Sequence, residues 1–203
     1  MSRSSSSTTT PSSPFIQTDT GNLVSRQCTV AGSKNIVLAG KSILRHGCIL
    51  RGDLRRAGAA GSGAGAQGKD SGGGGGVVIA MGRYCDVGEN VVLRPCYKTY
   101  KGAFSYYPMK IGDHVSIGAG SVVEAASIGT GVEIGKGCII GPLAILKDYC
   151  RIADGAVVAS GTIIPSLTEW AGSPARPVGQ LPESTPEIVE AKAKTAYARF
   201  QPE

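Results

Sequence analysis

The sequence predicts an all-β fold in which short strands wind into a parallel β-helix, followed by one C-terminal α-helix. Three observations predict it. Aliphatic residues recur every six positions, a glycine often follows the aliphatic residue, and a small or branched residue comes four positions after it. A period of six fits neither an α-helix nor a hairpin, and such repeats bury a core only by stacking on one another.

Composition narrows the classes of protein that this chain can belong to. It has 203 residues, 30 of them glycine, and a formal net charge of +6. Charged residues make up 18%, too few for a coiled coil, and the glycines lack the collagen period. The cations are scattered, so nucleic-acid binding is not predicted. No apolar run reaches the roughly 18 residues of a membrane span, and residues 1–14 carry no apolar signal region, so we expect a cytoplasmic protein without membrane insertion.

The repeat predicts about six coils within residues 15–182. In the second half of the chain every step is six residues, except the five from Val123 to Ile128, along this series: Ile111, Ile117, Val123, Ile128, Ile134, Ile140, Leu146, Ile152, Val158 and Ile164. Earlier, the same period gives two triplets: Leu38, Leu44, Leu50 and Met81, Val87, Leu93. Counting by threes places Leu50, Leu93 and Val123 on one face. We therefore expect the insertions after Leu50 and Leu93, and the short step after Val123, to lie at one corner.

Glycines and cysteines follow the same period. We expect the glycines to supply the positive φ that tight corners need. Four cysteines fall in the small-residue phase and are predicted to be structural core residues: Cys48, Cys85, Cys138 and Cys150. Cys28 and Cys96 are placed outside that phase. There is no C-x-x-C pair, so neither a zinc knuckle nor a redox motif is predicted, and all six cysteines are expected to be free thiols.

Three segments depart from the repeat. Residues 1–14 contain twelve Ser, Thr or Pro residues and are predicted to be a disordered tail. Residues 57–76 hold ten glycines and five alanines and are predicted to be a flexible insert. Residues 183–203 are predicted to form a C-terminal helix and tail, with the helix over Thr185–Phe200. Ser184 and Glu187 resemble a capping box, and an apolar stripe is expected to pack along the coils.

The excursion 94–110 is the candidate partner-binding loop. It interleaves aromatic and basic residues, with the candidate contacts Tyr97, Lys98, Tyr100, Lys101, Phe104, Tyr106 and Tyr107. Exposed aromatic and cationic residues are typical of protein interfaces. Two alternatives remain open at this point. The loop folds back over the coils and buries its aromatic residues, or its rings stack on nucleic-acid bases.

The hexads resemble those of hexapeptide-repeat proteins, whose fold is a left-handed, single-stranded parallel β-helix with three hexads per coil. That fold hosts acyltransferases and gamma-class carbonic anhydrases. The stretch Leu50-Arg51-Gly52-Asp53 resembles an anhydrase motif in which Arg51 and Asp53 would be structural, often in an interface ion pair. The zinc-ligand positions of the anhydrases align with Arg94, Ala119 and Glu124, none of which is a histidine. His46 and His114 are expected at solvent-facing corners. We therefore predict no catalytic residue, no metal and no cofactor.

Several stretches together resemble the dynactin subunit 5 family. They include Cys48-Ile49-Leu50-Arg51-Gly52-Asp53-Leu54, Tyr107-Pro108-Met109-Lys110-Ile111-Gly112-Asp113-His114-Val115 and Leu146-Lys147-Asp148-Tyr149-Cys150. The resemblance implies a non-enzymatic scaffold and cargo-adaptor subunit of the dynactin pointed-end complex, associated with the cytoskeleton, that supports dynein-driven transport of endosomal cargo along microtubules. The implied partners are a second β-helical subunit, an actin-related protein, a zinc-containing subunit and dynein cargo adaptors. The alternative is a hexapeptide-repeat enzyme, either a divergent anhydrase or an acyltransferase.

Overall fold

The computed structural model describes residues 13–55, 76–100 and 103–201, with only the backbone of Tyr100 and Ala103. The tail predicted over residues 1–14 lies outside the described residues except for its last two. The insert predicted over residues 57–76 lies outside them except for Gly76. The candidate contact Lys101 also lies outside.

The described chain begins with an antiparallel pair of strands and continues as coils of three strands each, on faces that we call A, B and C. Strand β1 (Phe15–Gln17) pairs with β2 (Leu23–Ser25). The first two coils comprise β2, β3 (Thr29–Ala31), β4 (Ile36–Gly40), and then β5 (Ile43–Leu44), β6 (Ile49–Arg51), β7 (Ile79–Arg83). A 3₁₀ turn, Ser33–Asn35, precedes β4.

The remaining coils repeat the order A, B, C, and one hairpin interrupts the third. The third coil contains β8 (Asp86–Val87), β9 (Val92–Leu93), the hairpin strands β10 (Tyr97–Tyr100) and β11 (Ala103–Tyr106), and β12 (Met109–Ile111). The fourth contains β13 (Ser116–Ile117), β14 (Val122–Val123) and β15 (Ser127–Ile128). The fifth and sixth contain β16 (Glu133–Ile134), β17 (Ile139–Ile140), β18 (Ile145–Leu146), β19 (Arg151–Ile152), β20 (Val157–Val158) and β21 (Ile163–Ile164). Strands β22 (Thr168–Ala171) and β23 (Arg176–Gln180) and helix α1 (Thr185–Arg199) follow.

Three sheets of parallel strands stack in register and form a three-sided rod. On face B, Leu50 pairs with Leu93, and Leu93 pairs with Val123. Each of these side chains is no more than 1% exposed, so the aliphatic residues of the repeat fill the axis of the rod. The chain leaves face B after each of them and returns on face C, where β7, β12 and β15 are neighbours. The prediction that the three irregularities share one corner is confirmed.

The corners show that the glycine after the aliphatic residue has a different role from the predicted one. Positive φ occurs three positions after the aliphatic, as at His114 (58°) and Gly161 (69°). Gly118, directly after Ile117, does not have positive φ. Instead, a Cβ there would lie 2.4 Å from the carbonyl carbon of Gly135 in the next coil. These glycines are therefore required by the close approach of two backbones, and the expectation about φ was wrong for them.

Helix α1 lies along face A, which confirms the predicted C-terminal helix and its packing against the coils. Val189 is 5% exposed, and the Tyr197 hydroxyl donates to the carbonyl oxygen of Gly21 at 2.6 Å. The predicted capping box is absent from these described residues, because Ser184 adopts helical dihedral angles and makes no side-chain cap. Instead, the Thr185 hydroxyl donates to the carbonyl oxygen of Pro182 at 2.6 Å.

Candidate protein-interaction site

The excursion after Leu93 forms a β-hairpin whose aromatic side chains pack on one another. Tyr97 pairs with Tyr106 across the two strands, and the Phe104 ring lies 4.9 Å from Tyr106 and 5.4 Å from Tyr97. Tyr97 and Phe104 remain 41% and 46% exposed, respectively. The alternative in which the loop buries all of its aromatic residues against the coils is therefore wrong. The hairpin presents an exposed aromatic cluster.

The base of the hairpin is anchored in the rod, which fixes where the cluster projects. Cys96 is fully buried, and the Tyr107 N–H donates to the Cys96 carbonyl at 2.8 Å, closing the hairpin at its base. Lys98 lies opposite Ser105 in the hairpin register and is exposed. The exposed cluster and this cation thus stand on a rigid base, which lowers the entropy cost of binding a partner.

Two of the three positions aligned with anhydrase zinc ligands form an ion pair with each other. Arg94 donates from its guanidinium to the carboxylate of Glu124, which is only 8% exposed. Ala119, the third position, lies at the corner between faces A and B and carries no side-chain donor atom. Among residues 13–55, 76–100 and 103–201, there is no group of three His, Cys, Asp or Glu side chains arranged to hold a metal ion.

Arg51 and Asp53 form a bidentate ion pair within the chain. The Arg51 Nε and Nη2 atoms donate to the two carboxylate oxygens of Asp53 at 2.7 and 2.8 Å. These hydrogen bonds hold the pKa of Asp53 below its ordinary value. Both side chains are about 40% exposed, at the corner where the chain leaves face B. The pair contributes little to stability because solvent screens it.

Five of the six cysteines are buried, and burial suppresses their reactivity. The four predicted core cysteines are no more than 2% exposed: Cys48, Cys85, Cys138 and Cys150. Burial raises the pKa of Cys85 to about 11 and that of Cys150 to about 12. Thiols in such surroundings are inert packing groups.

The assignment of Cys28 to a position outside the repeat was wrong. Thr29 pairs with Ile49, so Cys28 stacks against Cys48 in the next coil. The side-chain hydrogen bond with Cys48 outweighs burial and lowers the pKa of Cys28 to about 7. The sequence contains the signal, because Cys28 lies four positions after Val24, and Val30 follows Val24 by six residues. Counting back in steps of six from Leu44 reaches neither Val24 nor Val30, so this part of the repeat was missed.

Neither histidine occupies the fully solvent-facing corner that the sequence predicted. Both ring nitrogens of His114 are buried without a hydrogen-bond partner, in a small space between face A and helix α1. The ring stacks on Tyr84 at 5.6 Å. His46 is part-buried, and its Nδ1 shares a 2.7 Å hydrogen bond with the hydroxyl of Ser25. The period locates these corners correctly but carries no information on which face the distant helix covers.

Charged side chains hold α1 on face A. Glu133 accepts a hydrogen bond from Lys192 and another from Arg151 at 2.9 Å. Burial opposes ionisation, yet these two cations keep the pKa of Glu133 below its ordinary value. Near the start of the helix, the Tyr149 hydroxyl donates to Glu190 at 3.3 Å. The helix is thus pinned to several coils and not only to one.

The two ends of the rod differ. At the first coil, β1 covers the edge of face A, whereas β3 and β4 have no outer neighbour among the described residues. Val30 occupies a core position of the repeat, in register with Leu50, and yet is 39% exposed. At the far end, the turn after β22 covers β20, because Val157 donates to Gly172 and Ala175 donates back to Val157. In the part of the chain that the structure describes, the first coil is therefore the open end.

Sequence reasoning overlooked this open end because the count of repeats began at Leu38. Val24 and Val30 are six residues apart and carry the signal.

In the part of the chain that the structure describes, no helix is both long and apolar enough to cross a membrane.

Solved structures share this fold. A hexapeptide transferase family protein from Anaplasma phagocytophilum matches with a TM-score of 0.57 and 20% identity, over 87% of this chain and 89% of that one. AntD, an N-acyltransferase from Bacillus cereus, matches with a TM-score of 0.59 and 13% identity, over 86% and 87% of the two chains. At these identities the matches show the fold alone, which is the predicted left-handed parallel β-helix.

The sequence itself matches a narrower family. The family model described as dynactin subunit 5 matches residues 73–203. Dynactin subunit 5 of Dictyostelium discoideum is 36% identical over 113 residues, which cover 56% of this chain and 46% of that protein. The aligned region thus spans less than half the length of that relative. The matched residues include the hairpin, four of the six coils and helix α1, and the chain belongs to the dynactin subunit 5 family.

Proposed function

We propose that this protein is a non-enzymatic scaffold subunit of dynactin. In this proposal it works in the cytoplasm, in the pointed-end complex, and supports dynein-driven transport of endosomal cargo along microtubules. The observation that carries the proposal is the family match over residues 73–203. The stacked coils suit the task, because a rod held by backbone hydrogen bonds and an aliphatic core presents surfaces in fixed positions.

The open first coil is the proposed contact with a second β-helical subunit. Among the described residues, β3 and β4 have no strand paired with their outer edges, and Val30 of β3 offers an exposed aliphatic side chain. A coil of a partner placed on this end would continue the ladder of hydrogen bonds and cover the core position. The C-terminal end of the rod leaves fewer strand edges uncovered for a partner, because segments after β21 cover two of its three faces.

The aromatic hairpin is the proposed second contact. Tyr97 and Phe104 are large, exposed and held in place by each other and by Tyr106. Such residues are typical anchors of protein interfaces. The implied occupants are the actin-related protein, the zinc-containing subunit or a dynein cargo adaptor, and the exposed Lys98 favours an acidic surface on the partner.

Two observations favour a scaffold over an enzyme of this fold. The imidazole nitrogens of His114 are buried beneath α1, where a substrate does not reach them as it must reach a general base. Arg94 and Glu124, which the sequence analysis aligned with two of the zinc ligands of anhydrases, form an ion pair with each other. An assay of zinc content and of CO2 hydration by the purified chain tests the alternative, and activity with stoichiometric zinc would overturn the proposal.

Affinity purification from cells of the source organism tests the scaffold. The tagged wild-type chain is expected to recover the other dynactin subunits, and Val30→Arg is expected to lose the second β-helical subunit. Val178→Arg, at a position 66% exposed on β23, is the matched control and should retain it. A double variant, Tyr97→Ala with Phe104→Ala, should keep that subunit and lose another partner. Failure of the wild type to recover dynactin contradicts the proposal.

A further inference from the structure

Two cysteines stack on each other in the first two coils of the rod. Thr29 pairs with Ile49, and the Thr29 N–H donates to the carbonyl oxygen of Cys48 at 2.8 Å, which sets Cys28 beside Cys48. Because stacked parallel strands lie about 4.8 Å apart, the two cysteine Cα atoms are separated by about that distance. Disulfides join cysteines whose Cα atoms are about 4.4–6.8 Å apart, so the backbone already has the spacing that a disulfide needs.

The side chains of this pair are also placed for a reaction between them. The Cys28 thiol donates to the carbonyl oxygen of Arg45 in the second coil at 2.9 Å, so its sulfur points toward the coil that contains Cys48. A side-chain hydrogen bond connects the two thiols. Cys48 is fully buried, whereas Cys28 is partly exposed. A reagent in solution therefore reaches Cys28 first, and Cys48 lies behind it as the second thiol.

This is the one such pair among the cysteines of the described residues. Cys96 lies at the base of the hairpin, and the remaining three have other residues above and below them in the stack. Their neighbours are Ser42 and Val115 for Cys85, Ser121 and Ala156 for Cys138, and Val132 and Thr168 for Cys150. The repeat therefore brings two thiols together only where the first coil meets the second.

Hydrogen-bond donors around Cys28 favour its thiolate. The side-chain hydrogen bond with Cys48 lowers the pKa of Cys28 to about 7 against the opposing effect of burial, and hydrogen bonds with Ser25 lower it further. The Ser25 hydroxyl also shares a 2.7 Å hydrogen bond with Nδ1 of His46, which lines a surface cleft. A thiol that ionises near neutral pH and that solvent can reach has the properties of a redox-sensitive cysteine.

We propose that Cys28 and Cys48 form a reversible disulfide that fastens the first coil to the second when a hydroperoxide is present. In the first step the Cys28 thiolate attacks the peroxide. An S–O bond forms, the O–O bond breaks, the released alkoxide or hydroxide takes up a proton, and Cys28 becomes a sulfenic acid. In the second step the Cys48 sulfur attacks the Cys28 sulfur. The S–S bond forms, the S–O bond breaks, and the leaving hydroxide takes the Cys48 proton and departs as water.

The two electrons that reduce the peroxide come from the two thiols, one from each sulfur. Two equivalents of a small thiol reverse the reaction by thiol–disulfide exchange and are themselves oxidised to a disulfide. Disulfides of this transient kind are the ones that occur in cytosolic proteins.

The buried thiol becomes more reactive once the first step has occurred. The pKa of Cys48 is raised above its ordinary value, first by the hydrogen bond with Cys28, then by burial and by the charge of the Cys28 thiolate. A sulfenic acid carries no charge near neutral pH, so oxidation of Cys28 removes that electrostatic cause. Cys48 then loses its proton more readily, at the point where its sulfur must attack.

The disulfide would act on the layer of the rod that is held least firmly. Among the described residues, β3 has no strand on its outer edge, so backbone hydrogen bonds hold it from one side. Such a layer opens more easily than the coils inside the stack. A covalent bond from Cys28 to Cys48 would keep β3 on the second coil. This inference does not rest on the proposed function, and its test needs only the purified full chain.

Peptide mapping tests the bond. The reduced chain is treated with hydrogen peroxide at about pH 7.5, blocked with N-ethylmaleimide and digested with trypsin without reductant. Cleavage after the flanking basic residues releases residues 27–34, which contain Cys28, and residues 46–51, which contain Cys48. These two peptides are expected to be joined, with a mass two hydrogens below their sum, and dithiothreitol should separate them. Peptides that remain separate, or a bond between two chains instead, would overturn the proposal.

Two variants test the order of the steps. Cys48→Ser should stop the reaction at the sulfenic acid, so dimedone should label Cys28 about tenfold more in this variant than in the wild type. Cys138→Ser, at a position equally buried in the same phase of the repeat, is the matched control and should form the disulfide as the wild type does. Circular dichroism verifies that each variant is folded. Absence of label on Cys28 in Cys48→Ser would overturn the proposed attack by Cys28.

Hydrogen exchange tests the effect on the first coil. The amides of β3 should exchange about tenfold more slowly in the oxidised chain than in the reduced chain, while those of β14, in the middle of the rod, should not change. Equal exchange of β3 in the two forms would overturn the fastening role of the disulfide.

Discussion

Gly118→Ala is expected to destabilise the rod more than any alanine placed at an exposed corner glycine. The new Cβ would lie 2.4 Å from the carbonyl carbon of Gly135, 2.5 Å from the Lys136 nitrogen and 2.6 Å from the Gly135 oxygen. All three are backbone atoms of the next coil, which hydrogen bonds on both sides hold in place. Removing this steric clash therefore requires the two coils to separate locally, and overpacking of this kind costs about 3 kcal/mol.

Gly161→Ala is the matched control, because the same change of residue there meets a different constraint. Gly161 has a φ of 69°, and a Cβ would find no atom within 4 Å. The cost is the strain of a left-handed alanine, about 1 kcal/mol. The difference expected between the two variants is thus about 2 kcal/mol.

Urea unfolding measures this difference, with the fluorescence of the single tryptophan, Trp170, and circular dichroism as independent signals. Gly118→Ala should shift the midpoint to clearly lower urea than Gly161→Ala, with similar slopes. Equal losses in the two variants would refute the assignment of Gly118 to close backbone approach and would favour the left-handed conformation as the main reason for glycine in this repeat.

Three further outcomes are expected. Arg94→Ala should cost about 2 kcal/mol by leaving the carboxylate of Glu124 unpaired, and adding Glu124→Gln should recover most of it; urea unfolding of a double-mutant cycle measures this. Because the folded-state pKa of Glu133 is lowered, its contribution to stability is present near neutral pH and is lost as the pH falls through that lowered pKa. The protection factors of the α1 amides, which correct for slower intrinsic exchange in acid, should therefore fall on acidification, and fall less in Glu133→Gln. Iodoacetamide at about pH 7.5 should label Cys28 well before Cys150, as mass spectrometry would show.

The architecture was predictable because one periodic signal specifies it. Each coil repeats the same small set of contacts, so the step of six fixes the register, and the five-residue step after Val123 locates the irregular corner. The role of Gly118 was not predictable in the same way. A glycine required by close approach and one required by positive φ look identical in a sequence, and only the distance to the next coil separates them.

The candidate site was predictable only in part. The interleaving of aromatic and basic residues located the hairpin, but nothing in the sequence distinguishes rings packed on one another from rings buried in the rod. The burial of His114 depends on α1, which lies about 80 residues later in the chain, and local patterns do not report such contacts.

Helix α1 has a mechanical consequence for the rod. A stack of coils joined only to nearest neighbours would peel from its outermost layer under load, one layer at a time. Here Tyr197 ties the helix to Gly21, beside the first coil, and Glu190 ties it to Tyr149, at the corner that leads into the sixth. A force that unfolds the outermost coil must therefore also detach helix α1. The two ends of the rod should then unfold together and at higher force.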